Sequence, residues 1–292
     1  MEEETKMNYV DLLIKSSQET NSIVCMGADP VLDRIPIEHG SIEIRISKFY
    51  EDILDVCKSE GAIPGAVKPN YAFYAQYGFD GLKALKKVCE KVREMKIPLI
   101  VDAKRGDIGK TSKAYAKEAF EFWEGDCVTI APYMGTDSVM PFIEETIGKE
   151  KGVYILNRTS NPGASDFQDL EVNGKKNFEI VSEAIIKWSD TAMGNVGAVV
   201  GATSIGELKA VVKKFVESGK QIPLLIPGVG AQGGSASEVV AALKEAGYNL
   251  QLARINSSSG INYAYEKQET DDFAGAAAKA VAKLNEEIGA LA

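Results

Sequence analysis

Asp102 and Lys104 stand two residues apart in the run Val101-Asp102-Ala103-Lys104-Arg105-Gly106-Asp107-Ile108-Gly109. If that run closes a β-strand, both side chains point to one face. On a barrel strand that face is the interior near the mouth. A carboxylate and an ammonium placed there must pair or bear a large desolvation cost. Asp107 follows in the loop, where it could reach a neighbouring subunit. A second lysine, Lys68, closes the preceding apolar run in Ala66-Val67-Lys68-Pro69-Asn70. Lys68, Asp102, Lys104 and Asp107 then alternate in charge. On spacing alone, a structural ion pair plugging a barrel accounts for Asp102 and Lys104 equally well. A lone strand-end lysine is more often a solvated charge. The chain has one histidine, His39, in the polar stretch Ile37-Glu38-His39-Gly40, read as a loop residue. Multi-histidine zinc sites are therefore excluded, and acid–base chemistry must come from Lys, Asp, Glu or Tyr.

Two further segments have ligand-binding chemistry. Pro227-Gly228-Val229-Gly230-Ala231-Gln232-Gly233-Gly234 follows an apolar run and precedes a helical pattern. Glycines let backbone amides approach an anion closely, and a helix start adds a favourable field. This segment reads as a phosphate loop, with a tight turn as the plain alternative. Asn157-Arg158-Thr159-Ser160-Asn161-Pro162-Gly163 offers hydroxyls and amides that could read a polar heterocycle. By itself it reads first as a turn.

The elements that must position these residues follow from periodicity. Eight short Val/Ile-rich runs recur at 23–26, 62–67, 98–101, 128–130, 153–156, 197–200, 223–226 and 249–255. Most are continuously apolar, as strands buried on both faces of a parallel sheet require. Helical spacing separates them: Ile46, Phe49, Tyr50 and Ile53; Val181, Ala184, Ile185 and Trp188; Leu208, Val211, Val212 and Phe215. Ser204 with Glu207, and Ser235 with Glu238, have capping-box spacing. Gly148, Gly219 and Gly247 stand where helices end. The alternation predicts an α/β fold, a (β/α)8 TIM barrel, with a doubly wound open sheet as the alternative. It predicts one domain over residues 1–292, with an N-terminal helical extension and a C-terminal helix from Asp271. The longest irregular stretch, 158–176, follows the fifth run. Barrel active sites lie at the C-terminal strand ends. The polar residues to watch are then Asp29, Lys68, Asp102, Lys104, Tyr133, Asn157 to Asn161, the 228–234 loop, and Asn256 to Ser259.

Composition narrows the function classes. The chain has 292 residues, 45% hydrophobic and 26% charged, which is globular usage and excludes disorder. No apolar run reaches membrane-span length, and the acidic start, Met1-Glu2-Glu3-Glu4, is not followed by a signal-like stretch. A cytoplasmic protein is expected. Lys and Arg number 33 against 42 Asp and Glu, a net charge of −9. That excludes non-specific nucleic-acid binding as a leading reading. Cys25, Cys57, Cys89 and Cys127 show no CxxC spacing, and Cys25 and Cys127 read as core thiols.

Taken together, these motifs resemble the orotidine 5′-phosphate decarboxylase family, in its longer bacterial-type branch. The resemblance runs from Gly27-Ala28-Asp29-Pro30 to the eighth strand. Its most specific piece is Asp102-Ala103-Lys104-Arg105-Gly106-Asp107-Ile108-Gly109-Lys110-Thr111, supported by Lys68-Pro69-Asn70 and Arg158–Gly163. The resemblance implies cofactor-free decarboxylation of orotidine 5′-monophosphate (OMP) to UMP in a homodimer of barrels, with no metal, nucleic acid or membrane partner. It implies Lys104 as proton donor, Asp102 beside the departing carboxylate, and Lys68 holding Asp102 and the ribose. Asp107, Ile108 and Thr111 would cross the subunit interface. Asp29 would bind ribose, Ser160 and Asn70 the pyrimidine, and Gln232 with the Gly233 and Gly234 amides the phosphate. One departure stands out. The family pattern Asn-Ser-Ser-Arg-Gly-Ile reads Asn256-Ser257-Ser258-Ser259-Gly260-Ile261 here. Either Arg254 is re-aimed by a bulge to replace the missing arginine, or hydroxyls and amides around Ser259 substitute. Competing readings are a metal-dependent phosphosugar keto-acid decarboxylase on the same barrel, a Schiff-base aldolase, and a non-catalytic nucleotide-binding relative.

Overall fold

The structure, a computed structural model, describes residues 7–229 and 233–291. Eight parallel strands alternate with helices: β1 (Val24–Ala28), β2 (Ala66–Pro69), β3 (Ile100–Arg105), β4 (Cys127–Ile130), β5 (Gly152–Arg158), β6 (Val196–Val200), β7 (Leu224–Ile226) and β8 (Ala253–Ser257). Their order is β2-β1-β8-β7-β6-β5-β4-β3. Bridges Val67↔Leu99 and Asn70↔Asp102 join the two end strands. The sheet therefore curls into the expected (β/α)8 barrel rather than an open sheet. Helices such as Ile42–Ser59, Gly78–Glu94 and Phe273–Ile288 form the outer layer.

Alternation along the strands divides the interior into layers. Cys25, Ala66, Ile100, Cys127, Tyr154, Val199 and Leu225 form one buried cluster with Tyr9 and Leu13. The last two belong to the helix Tyr9–Thr20, which closes the N-terminal end of the barrel. Its start is fixed by a capping box between Asn8 and Asp11. Two residues further along their strands stand Lys68, Asp102 and Thr129. The side-chain period of two thus carries the interior from an apolar floor to a charged layer near the mouth. Close packing at that mouth requires glycine at position 27, because a Cβ there would lie 1.9 Å from Ser258 Oγ.

Several local expectations are corrected. The second run becomes a strand only from Ala66, because Pro64 has no N–H to give a ladder. Residues 249–252 do not open the eighth strand. Asn249 accepts from Gln251 N and caps a single turn, Leu250–Leu252, and β8 begins at Ala253. Ser204 occupies the N-cap position but makes no side-chain cap bond. Its expected partner Glu207 is instead drawn to Arg158, with Nε to Oε2 at 2.7 Å. Ser235 does cap its helix, accepting from Glu238 N. The 158–176 stretch holds a 3-10 turn, Pro162–Asp166, and a two-residue hairpin, Glu171–Val172 with Lys175–Lys176. His39 lies exposed in a bend, and all four cysteines are buried and free.

Candidate active site

β3 runs on to Arg105, so Asp102 and Lys104 lie on the strand itself. The strand is not regular there. Val101 pairs with Val128 but Arg105 with Ile130, so the register shifts across the intervening residues. Lys104 takes up the irregularity with φ +46°, a left-handed conformation that is costly for a side-chain-bearing residue. Its backbone N–H donates to Thr129 Oγ1 at 3.0 Å. Thr129, on β4, in turn donates its hydroxyl to Asp102 Oδ1 at 2.8 Å. A bulge can re-aim a side chain, and here it lets Lys104 Nζ return to Asp102 Oδ1 at 2.7 Å. The other carboxylate oxygen, Oδ2, accepts from Lys68 Nζ at 2.8 Å.

Asp102 therefore receives two ammonium groups and a hydroxyl in a buried position. Lys68 and Asp102 are each 5% exposed, whereas the Lys104 side chain is 48% exposed and opens toward the mouth. Burial pushes the Asp102 carboxyl up, but the charges and hydrogen bonds of Lys68 and Lys104 hold it well below the usual carboxylate range. Burial likewise disfavours the Lys68 cation. The charges of Asp102 and Asp29 outweigh that effect and keep Lys68 above the ordinary lysine value. All three groups are thus fixed in position, and both members of the buried Lys68–Asp102 pair stay charged. An array of this kind can stabilise developing negative charge without reorganising and can deliver a proton.

Lys68 and Asp102 form one wall of a cavity of about 340 Å³ at the C-terminal strand ends, with Lys104 bonded to Asp102 beside it. Asp29, Asn70 and Ser259 also line it, with Gly228 and Asn256. Asn70 accepts from Ala72 N and starts a short helix. Asp29 Oδ1 and Asn256 Oδ1 are buried and have no hydrogen-bond partner among the described residues. Buried acceptors left open in a cavity are suited to a ligand's hydroxyls or N–H groups. The Tyr263 hydroxyl donates to the Asp29 carbonyl and accepts from Val31 N, which fixes the loop after β1.

Other expected residues lie apart from this wall. Asp107 Oδ1 accepts from Ile108 N at 2.8 Å and has no bond to Lys104 within the chain. Ile108 is 53% exposed, and Thr111 is exposed on the helix Gly109–Lys117. Ser160 packs over Gly201, just past β6, where a Cβ would meet Ser160 Cβ at 2.9 Å. Gly234 N donates to the Gly228 carbonyl and folds the glycine loop back on itself, while Gly233 is exposed with φ +87°. Gln232 lies outside the described residues.

Arg254 is the clear correction. It is fully buried at the start of β8, in the apolar floor, and does not line the cavity. Its guanidinium donates to the carbonyls of Gly65, Gln251, Ala253 and Leu13. Burial lowers its pKa from the ordinary arginine value. No bulge re-aims it toward the mouth.

Thr129 and Arg34 were not singled out from the sequence. Thr129 carries a signal, being the one polar residue in the apolar strand Cys127–Ile130. Arg34 lines the cavity from the loop after β1, and its loop context gives no such signal. Among the described residues no three His, Cys, Asp or Glu side chains are grouped as metal ligands, and no helix is long and apolar enough to cross a membrane.

Residues 22–271 match the model of the orotidine 5′-phosphate decarboxylase / HUMPS family. An orotidine 5′-phosphate decarboxylase of Cupriavidus taiwanensis is 39% identical over 284 residues, covering 97% of this chain and 98% of that one. The UMP synthase of Leishmania donovani superimposes with a TM-score of 0.78 at 33% identity. That match covers 98% of this chain but 56% of the Leishmania chain. The OMP decarboxylase of Leishmania donovani superimposes with a TM-score of 0.75 at 29% identity, covering 97% and 99% of the two chains.

Proposed function

This chain belongs to the orotidine 5′-phosphate decarboxylase / HUMPS family, and from that premise we propose that it converts OMP to UMP and CO2 in the cytoplasm without a cofactor. The observation that carries this reading is the Lys68–Asp102–Lys104 array, whose Lys68 and Asp102 line the cavity. Breaking the bond between the ring carbon and the carboxylate leaves its electron pair on that carbon, where the ring cannot easily delocalise it. Lys104 stabilises the developing charge and delivers its proton to the carbon, leaving a neutral amine. Asp102 lies beside the substrate carboxylate. Its two lysine partners keep it ionised, so the crowding of two carboxylates is relieved as CO2 leaves. Binding of the remote phosphate offsets that crowding in the ground state.

The remaining assignments follow the family resemblance. Asp29 takes a ribose hydroxyl on its open Oδ1. Lys68 touches the ribose beside Asp102, and Asn70 and Ser160 contact the pyrimidine. The Gly233 amide, with Gln232, holds the phosphate near Ser259, whereas the Gly234 N–H is already taken by the Gly228 carbonyl. A second copy of the chain supplies Asp107, Ile108 and Thr111, none of which is bonded to the array within one chain.

The test is an absorbance assay. Chelator-treated protein is mixed with OMP, and loss of the orotate chromophore is followed. Turnover without added metal is expected. UMP binding without turnover would instead support the non-catalytic reading, and a magnesium requirement the phosphosugar one.

A further inference from the structure

The cavity has two chemically different ends. At one end stands the paired lysine–aspartate array. At the other, Ser258 and Ser259 follow β8 and face Gly228 and Val229 from the β7 side. Hydroxyls and amides can hydrogen-bond a phosphate, but they bring no positive charge to a dianion. In a chain with a net charge of −9 a local cation matters more. Among the described residues lining the cavity, two are cations, Lys68 and Arg34. Lys68 lies in the array at the other end, buried and held by Asp102.

We propose that Arg34, reaching over from the loop after β1, is the cation that binds the substrate phosphate in this enzyme. Its guanidinium carbon lies 3.8 Å from the centroid of the Tyr263 ring. Tyr263 follows the turn that Ser259 begins, and its backbone N–H donates to the Ser259 carbonyl at 3.2 Å. The stacked arginine is thus held beside the turn whose first residue is a serine here. Behind it, Glu266 accepts from Nε at 2.8 Å and from Nη2 at 2.6 Å. This bidentate grip leaves Nη1 without a hydrogen-bond partner among the described residues, and the side chain is 38% exposed. Stacking and the bidentate grip fix the planar fork before a ligand arrives, which lowers the ordering cost of binding. The arginine therefore comes from a different loop, although it serves the same end of the cavity.

The inference rests on the decarboxylase reading, and the experiment separates the two. UMP and uridine are titrated by calorimetry into wild type, Arg34→Gln, Arg34→Lys and the double variant Arg34→Gln/Ser259→Arg, with OMP turnover measured on each. Arg34→Gln should weaken UMP at least tenfold and leave uridine unchanged, because uridine lacks the phosphate. It should raise KM for OMP more than it lowers kcat. Arg34→Lys should retain part of the UMP affinity, and adding Ser259→Arg to Arg34→Gln should restore most of it. Equal weakening of UMP and uridine would make Arg34 a wall residue and overturn the proposal. So would unchanged UMP affinity in Arg34→Gln while wild type turns over OMP, a result that leaves the decarboxylase reading intact. A wild type that consumes no OMP would defeat that reading and the inference with it.

Discussion

Replacing Thr129 by valine removes one hydroxyl and keeps the side chain's shape. That hydroxyl accepts from the Lys104 backbone N–H and donates to Asp102 Oδ1. A hydrogen bond to a charged group contributes about 1.5–3 kcal/mol. The Lys104 N–H loses its acceptor as well, but Lys104 is half-exposed and water can replace part of that bond. The lower end of the range therefore applies, and a loss of about 2 kcal/mol is expected. At roughly 2 °C per kcal/mol for a chain of this size, Tm should fall by about 4 °C. The kinetic effect has a separate cause. Lys104 is held at φ +46°, a conformation that costs on the order of 1 kcal/mol or more and persists only when its surroundings enforce it. Without the Thr129 acceptor the backbone can relax, carrying the ammonium away from its place beside Asp102. A loss of about 1.4 kcal/mol of transition-state stabilisation lowers kcat tenfold. Thr129 does not line the cavity, so KM and UMP affinity should stay within about twofold of wild type. Thr129→Ser keeps the hydroxyl and should recover both kcat and Tm. Steady-state kinetics on OMP with a thermal melt of each variant decide the matter. Wild-type kcat in Thr129→Val, or a matching loss of UMP affinity, would refute a positioning role.

Four further outcomes follow from the same geometry. Lys104→Ala should abolish turnover with melting and oligomeric state unchanged. If Asp107 acts across a dimer, mixing Lys104→Ala with Asp107→Ala protein should restore about a quarter of wild-type activity, since half of random dimers carry one intact site; a mixture with no activity would remove Asp107 from the partner's site. Arg254→Met should leave UMP affinity unchanged yet destabilise the fold by about 3 kcal/mol, because the Gly65 and Leu13 carbonyls lose their donor while the relief of a buried charge offsets part of that; chemical denaturation alongside UMP titration checks both. Burial pushes the thiols of Cys25, Cys57 and Cys89 up to about 12, against about 8.5 in an unfolded chain. A raised folded pKa means the stabilisation is complete below about pH 8.5 and is lost as pH rises toward 12, by about 1.4 kcal/mol per pH unit per thiol. Cys57→Ala should flatten the alkaline slope by that amount in denaturant titrations between about pH 8 and pH 10.

The barrel was legible because strands buried on both faces leave continuous apolar runs, and all eight runs contain or adjoin a strand. Asp102 and Lys104 were legible because charges two apart at the end of such a run share one face and must pair, and Lys68, more often a solvated charge when alone, became legible only beside them. What could not be read was the backbone irregularity between Val101 and Arg105. It depends on the neighbouring strand's Thr129, not on any local signal in β3. Arg254 lies five residues before Ser259, an odd offset that turns it away from the mouth on a regular strand, and only a bulge could have re-aimed it. No register shift occurs along β8. The cap at Asn249 delays β8 to Ala253, so Arg254 is its second residue and faces the floor. Glu207 was read as a capping residue because local spacing is all the sequence offers, whereas Arg158 reaches it across 49 positions. Arg34 was missed on the same grounds, since Tyr263 and Glu266, which hold it, lie more than two hundred residues away.

The two ends of the cavity divide the work of catalysis in a way that the hydrogen-bond inventory makes explicit. At the array, each oxygen of Asp102 already has its donors before any ligand arrives. Bringing a substrate carboxylate against that carboxylate gains no new bond to Asp102 and adds repulsion. Favourable contacts must come from elsewhere, and the structure holds them in reserve: the open oxygens of Asp29 and Asn256, and the free edge of Arg34. In the proposed reaction, ribose and phosphate satisfy these groups and the reacting carboxylate lies against Asp102. Binding energy is therefore gained where no bond breaks and offsets repulsion where one does, which is the arrangement that raises kcat as well as affinity. The buried Lys68–Asp102 pair fits the same logic. Such pairs are poor sources of stability, but this one keeps a negative charge fixed at the spot where the proposed reaction removes one.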